Sequence, residues 1–144
     1  MKSVKKDKSK GKIVVSGSRK RSVARATISE GSGTVRINFK PIESFNTFQR
    51  LILSEPLVIA EPVLKEKLKQ LDIYVKISGG GVESQIEAAR LAIARALVAY
   101  TQSADLKNAF LRYDRTLLVA DTRRKEARKW GDSKARAKRQ KSYR

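Results

Sequence analysis

Three groups of residues in this sequence could do chemistry, and all of them point at anions. The first is the stretch 123–144, RRKEARKWGDSKARAKRQKSYR, in which eleven of twenty-two side chains are Lys or Arg and only Glu126 and Asp132 oppose them. Each cation in Arg123, Arg124, Lys125, Arg128, Lys129, Lys134, Arg136, Lys138 and Arg139 that meets a phosphate releases a counterion, so association falls steeply with salt. Trp130 and Tyr143 add aromatic faces able to stack on bases or guanidinium planes, and docking onto the protein body is the alternative use of Trp130. The second group is Arg19, Lys20 and Arg21 in a turn, with Arg25 and Arg36 on the outward face of the strands that follow. Arg forks onto phosphate better than Lys does, so clustered Arg marks a docking surface where a solvated strand face is the bland reading. The third is Gly79-Gly80-Gly81 ahead of a helix, a turn whose backbone N–H groups could approach a phosphate.

The same inventory weighs against an enzyme. The sequence has no cysteine and no histidine, so it lacks a thiolate nucleophile or ligand and the commonest general base. The triple-glycine turn lacks the Gly-Lys-Ser/Thr of a P-loop and the spacing of a dinucleotide fingerprint, which leaves a small-molecule phosphotransferase weakly supported. Glu83 and Glu87 lie one helical turn apart, but nearby Arg90 makes them read as a helix-surface charge pattern. No catalytic residue, metal or cofactor is expected. No apolar run reaches the roughly 18–20 residues of a membrane span, and Ile13-Val14-Val15 is too short for a signal-peptide core of about 7–15 residues. The expectation is a soluble, cytoplasmic protein.

Something must hold these groups in place. The net charge of +19 divides into about +9 from residues 1–25, +1 from 26–122 and +9 from 123–144. A near-neutral middle between basic ends predicts a compact body with electrostatic extensions. Residues 1–11 read as a basic N-terminal arm, disordered when free; 12–120 as an α+β body; and 121–144 as an extended basic C-terminal tail. The tail's sparse apolar content cannot offset an ordering cost of roughly 1–2 kcal/mol per residue. From Gly131 its fourteen residues reach roughly 45 Å extended, against a radius of gyration near 13 Å for a body of about a hundred residues.

Within the body, Ile13–Ser18 reads as a strand. Alternation of Ala24, Ala26 and Ile28 with Arg25, Thr27 and Ser29, then of Val35, Ile37 and Phe39 with Arg36, Asn38 and Lys40, predicts a hairpin closed by Glu30-Gly31-Ser32-Gly33. A short helix is expected at 43–54, with Phe45, Phe48, Leu51 and Ile52 at helical spacing, broken by Glu55-Pro56 before a second piece at 57–69. Leu71–Ile77 alternates as a strand. A helix over Val82–Gln102 is expected to bury Val82, Ile86, Ala89, Ile93, Leu97 and Tyr100, and another over Ala104–Tyr113 carries Leu106, Phe110 and Leu111. The hydrophobic pattern stops after Val119. These elements predict one sheet with helices on one face.

Four segments together resemble a known family: SGSRKRSVARATISEGSGTVRIN, ISGGGVESQIEAARLAIARAL, FLRYDRTLLVADTRRKEARKWG and SKARAKRQKSYR. They are similar, in order and spacing, to the ninth protein of the small ribosomal subunit in its archaeal or eukaryote-like form. The resemblance implies a body like the second domain of ribosomal protein S5, with a left-handed β-α-β element. It implies a structural, non-enzymatic role in the subunit head, with ribosomal RNA of the 3′ major domain and neighbouring ribosomal proteins as partners. It further implies that the Arg19–Arg21 and Gly79–Gly81 turns approach that RNA. The tail would reach the peptidyl-tRNA site, where Arg144, with Lys141, Ser142 and Tyr143 beside it, meets the backbone of the tRNA anticodon loop. Bacterial relatives more often end in Phe-Ser-Lys-Arg, where this chain ends in Lys-Ser-Tyr-Arg. From charge alone, a free RNA chaperone or nucleic-acid-compacting protein is the alternative.

Overall fold

A computed structural model describes residues 12–128, 130, 134–136 and 143. Five strands form one mixed sheet among the described residues: β1 (Ile13–Arg19), β2 (Ser22–Glu30), β3 (Val35–Ile37), β4 (Lys40–Pro41) and β5 (Leu71–Ser78). Their order across the sheet is β1-β2-β5-β3-β4. Among the described residues three α-helices accompany them, α1 (Thr47–Leu64), α2 (Val82–Thr101) and α3 (Ala104–Tyr113).

The period-2 pattern sets which face is dry. Ala24, Ala26 and Ile28 of β2, Ile37 of β3, and Leu71, Ile73, Val75 and Ile77 of β5 are all buried against the helices. Their alternates Arg25, Arg36, Tyr74 and Lys76 are exposed on the opposite face. The result is the expected α+β layer with one open face. α2 is Ala-rich where it meets the sheet, which lets it sit very close to β1. A Cβ on Gly17 would lie 2.7 Å from Ala88 O and Ala92 N, so only glycine fits beneath the helix there.

The hairpin expected between residues 23–30 and 35–40 does not form. β2 pairs antiparallel with β1 on one side and with β5 on the other, while β3 runs parallel to β5. β5 therefore lies between the two strands that alternation alone would have paired. Glu30–Gly33 instead crosses the start of β5 and is fastened there. Gly31 N–H donates to Gln70 O (2.8 Å). The Asp72 carboxylate accepts from Ser32 N–H, Thr34 N–H and the Thr34 hydroxyl, at 2.9–3.0 Å. The Thr34 N–H bond leads in holding Asp72 below the usual carboxylate range, outweighing the opposing effect of burial.

The helix boundaries also depart from expectation. Pro56 does not break α1, which runs unbroken from Thr47 to Leu64 through Pro56 and Pro62. Proline in a helix interior loses one backbone bond and crowds the carbonyl four residues back. Here the Pro56 ring is buried alongside Leu53, Ala60 and Leu64, so tertiary packing offsets that local cost. Phe48 and Leu51, two of the four apolar residues at helical spacing, are exposed. So are Val82, in the first turn of α2, and Leu111. Tyr100 is half-buried and donates its hydroxyl to Glu30 (3.2 Å). Phe39 is not an inward strand residue either. β3 stops at Ile37, and Asn38 and Phe39 turn the chain with positive φ (46° and 67°).

Candidate nucleic-acid interface

Strand directions place three turns at one end of the sheet. β1 ends and β2 begins at the Lys20–Arg21 turn, since Arg19 pairs with Ser22. β5 ends beside the start of β2, with Val23 opposite Ser78, and continues into Gly79-Gly80-Gly81 and α2. β3, parallel to β5, ends at the same level in the Asn38–Phe39 turn. Lys20 (φ 51°), Asn38, Phe39, Gly79 (73°) and Gly80 (69°) all adopt positive φ. Left-handed backbone is thus concentrated at this end, as three tight reversals side by side require.

The turns are joined to one another. The Ser22 hydroxyl, buried, lies 2.8 Å from Ser84 Oγ and 3.0 Å from Gly79 O. Ser84 Oγ donates to Gly81 O (2.8 Å) and accepts the Gly81 N–H (3.1 Å), while the Gln85 side-chain amide donates to Gly79 O (3.0 Å). Each hydroxyl carries one proton, so with Ser84 donating to Gly81 O, Ser22 donates either to Gly79 O or to Ser84 Oγ. Gly79 and Gly80 are thereby fixed by packing: a Cβ at Gly80 would stand 1.9 Å from Ser22 Oγ, and one at Gly79 2.7 Å from Arg21 O. Gly81 has open space around it. Of the three glycines expected to meet a ligand, two shape the turn and one borders solvent at the N-terminus of α2.

The root of the tail arrives at this end too. Arg95 of α2 donates from Nε to Leu118 O (2.8 Å) and from Nη1 to Ser16 O (2.9 Å), tying the chain after α3 to β1. Three residues on, Asp121 meets Arg19 Nη1 (2.6 Å) and Arg123 Nη2 (2.6 Å). Residues 118–121 therefore follow β1 from Ser16 towards Arg19 and the Lys20–Arg21 turn. Hydrogen bonds from the Arg123 side chain and backbone lead in holding Asp121 far below the usual carboxylate range. A second knot stands behind the first: Arg90 of α2 bridges Glu55 of α1 and Asp114 after α3. Burial would push the Asp114 carboxyl up, but bonds from Thr116 and Arg90 bring it below its ordinary value.

Arg19, expected at the RNA surface, is engaged within the protein. Its side chain is only 17% exposed and is held by Glu87 as well as Asp121. It works as an internal clamp on the tail root. Glu87 and Arg90 are likewise engaged in contacts between elements, where spacing suggested an ordinary helix surface. The cations presented to solvent are its neighbours Lys20 and Arg21. On the open sheet face Arg25 pairs in register with Lys76, and Arg36 with Tyr74. Like charges directly opposite each other oppose pairing and suit a surface that receives an anion. Lys40, in register with Ile37 on the edge strand, does not share that face as expected.

Arg123, Arg124, Lys125, Arg128, Lys134 and Arg136 are exposed, and Arg136 meets Glu126 at 2.9 Å. Trp130 and Tyr143 are exposed as well, so Trp130 is not docked on the body. Lys129, Lys138, Arg139, Lys141, Ser142 and Arg144 lie outside the described residues. Sequence reasoning missed Asp121, Arg95, Lys76 and Phe39. Asp121 had a visible signal, a lone acid immediately ahead of the basic run.

The family model of ribosomal protein S9/S16 matches residues 17–144. The chain belongs to this family. A curated relative named small ribosomal subunit protein uS9, from Thermoplasma acidophilum, is 49% identical over 133 residues, covering 92% of this chain and 100% of the relative. Another uS9, from Methanococcus maripaludis, is 47% identical over 131 residues, covering 89% and 95%. The match takes in the three turns, the tail root and the whole basic run, so the features described above lie inside the shared part of this S9/S16 chain.

Proposed function

We propose that this protein is a structural constituent of the small ribosomal subunit that docks on ribosomal RNA in the head through the three-turn end of its sheet. The observation that carries this reading is the convergence of those turns and the Asp121-held tail root on one cationic end of the body. Membership of the S9/S16 family and the names of the two relatives supply the assembly. Lys20, Arg21 and Arg25 grip phosphates, and the Gly81 border lets an RNA strand approach the backbone. The body thus binds by shape and phosphate contact, as expected for folded RNA. Arg123–Arg128 continue the surface, and residues 129–139 neutralise phosphate farther away. Lys141–Arg144 form the tip that meets the anticodon-loop backbone of the peptidyl-site tRNA. No step in this role calls for catalysis.

Deleting residues 131–144 tests the division of labour. The shortened chain is expected to keep its thermal transition while its RNA affinity falls and its salt dependence flattens; an unchanged slope of log K against log salt contradicts the tail's role. Arg144→Ala should leave subunit assembly intact and weaken tRNA retention in the peptidyl site; equal retention would make the tip a spacer. Co-sedimentation with small subunits through high salt separates this role from that of a free RNA chaperone.

A further inference from the structure

Phe39 is a costly residue that adds nothing to the fold. Its side chain is 92% exposed, and its φ of 67° lies where a bulky L-residue is an outlier. It follows Asn38 in a two-residue reversal with positive φ at both positions, an arrangement that favours glycine at the second. The turn is also held rigidly. Asn38 N–H donates to Val75 O (2.9 Å), its Oδ1 accepts the Ile77 N–H (2.8 Å), and its side-chain amide donates to Ile77 O (3.3 Å). An aromatic ring is thus presented to solvent on a fixed base, beside Lys40 and at the same end as Lys20 and Arg21.

We infer that Phe39 is a stacking platform for an unpaired nucleobase of the bound RNA. This rests on the RNA-docking reading above and adds a base contact to what are otherwise phosphate contacts. The surroundings favour RNA over a neighbouring protein as the occupant. The ring stands in a cationic setting next to Lys40, whereas the exposed apolar side chains of Phe48, Leu51 and Val58 lie elsewhere, on α1. An exposed aromatic beside a cation matches the pattern of a stacking residue in a phosphate-tracking surface. The preset turn reduces the ordering cost on binding.

The test uses the full chain, an in-vitro transcript of small-subunit ribosomal RNA, and four proteins: parent, Phe39→Gly, Phe39→Trp and Phe39→Leu. Glycine relieves the left-handed backbone, so Phe39→Gly is expected to raise Tm while weakening RNA binding about 5–150-fold, with the salt slope unchanged. Phe39→Trp should retain the affinity and Phe39→Leu should lose it much as glycine does. The inference is overturned if Phe39→Gly binds as tightly as the parent, or if Phe39→Leu does. It is equally overturned if Phe39→Gly binds free RNA normally but is lost from reconstituted subunits, which would place the ring on a protein neighbour. A parent without salt-dependent binding would instead defeat the RNA-docking reading beneath it.

Discussion

Gly80→Ala is expected to destabilise the body by about 2–4 kcal/mol. A Cβ at its left-handed φ of 69° costs roughly 1–2 kcal/mol before any contact is considered. The added carbon would also lie 1.9 Å from Ser22 Oγ, so the buried hydroxyl must leave its place beside Ser84. A hydrogen bond lost there costs about 1 kcal/mol, more if a partner is left unsatisfied. The combined effect corresponds to a fall in Tm on the order of 10–15 °C for a domain of this size. Ser22→Ala alone should cost about 1–2 kcal/mol. The double variant should cost less than the sum of the two, because the clash and the displaced bond share one hydroxyl. Urea unfolding of the parent, both single variants and the double variant measures this coupling, expected at about 1–2 kcal/mol. Strict additivity, or a neutral Gly80→Ala, would refute the packing account of the turn and free Gly80 for a role at the ligand.

Further outcomes follow from the ion pairs. Arg21→Ala should lower the slope of log K against log salt by about 1, whereas Arg19→Ala should act through the tail root. Amide exchange at residues 119–123 reads that second effect: faster exchange in Arg19→Ala and parental exchange in Arg21→Ala. Asp72, Asp114 and Asp121 all have depressed carboxyl pKa values in the folded protein. Their contribution is fully present above the unfolded value of about 4 and is lost as pH falls through the lower folded values. The urea midpoint is therefore expected to change little from neutral pH down to about 5 and to drop below about 4, with a shallower drop in Asp121→Asn. Arg90→Met should destabilise the protein, because it strands Glu55 and Asp114 in a half-buried setting. An unchanged Tm would mean those acids are adequately solvated without it.

Much of the fold can be read from periodicity, because burial on one face imposes it. Ala24-Ala26-Ile28 and Leu71-Ile73-Val75-Ile77 mark the dry face of the sheet, and the cores of α2 and α3 follow the helical period. Pairing is a different matter. Alternation tells which way a side chain points and says nothing about which strand lies alongside, so β5 entered unseen between β2 and β3. Pro56 misled because helix propensity ignores the packing that a buried ring supplies. The basic run and the Arg-rich turn stand out in the sequence as concentrations of positive charge. Their internal division does not, because Arg19 and Arg21 differ only in the acids that the fold brings to them. Phe39 was hidden by extending a two-residue alternation across a turn.

The central claim is that the three-turn end of the body meets RNA phosphates. It is tested most directly by the salt dependence of binding to a small-subunit ribosomal RNA transcript, comparing the parent with a Lys20→Ala/Arg21→Ala/Arg25→Ala variant. The account predicts that the triple variant stays folded and that its slope of log K against log salt falls by about 3, one for each phosphate no longer neutralised. A triple variant with the parental slope would contradict it.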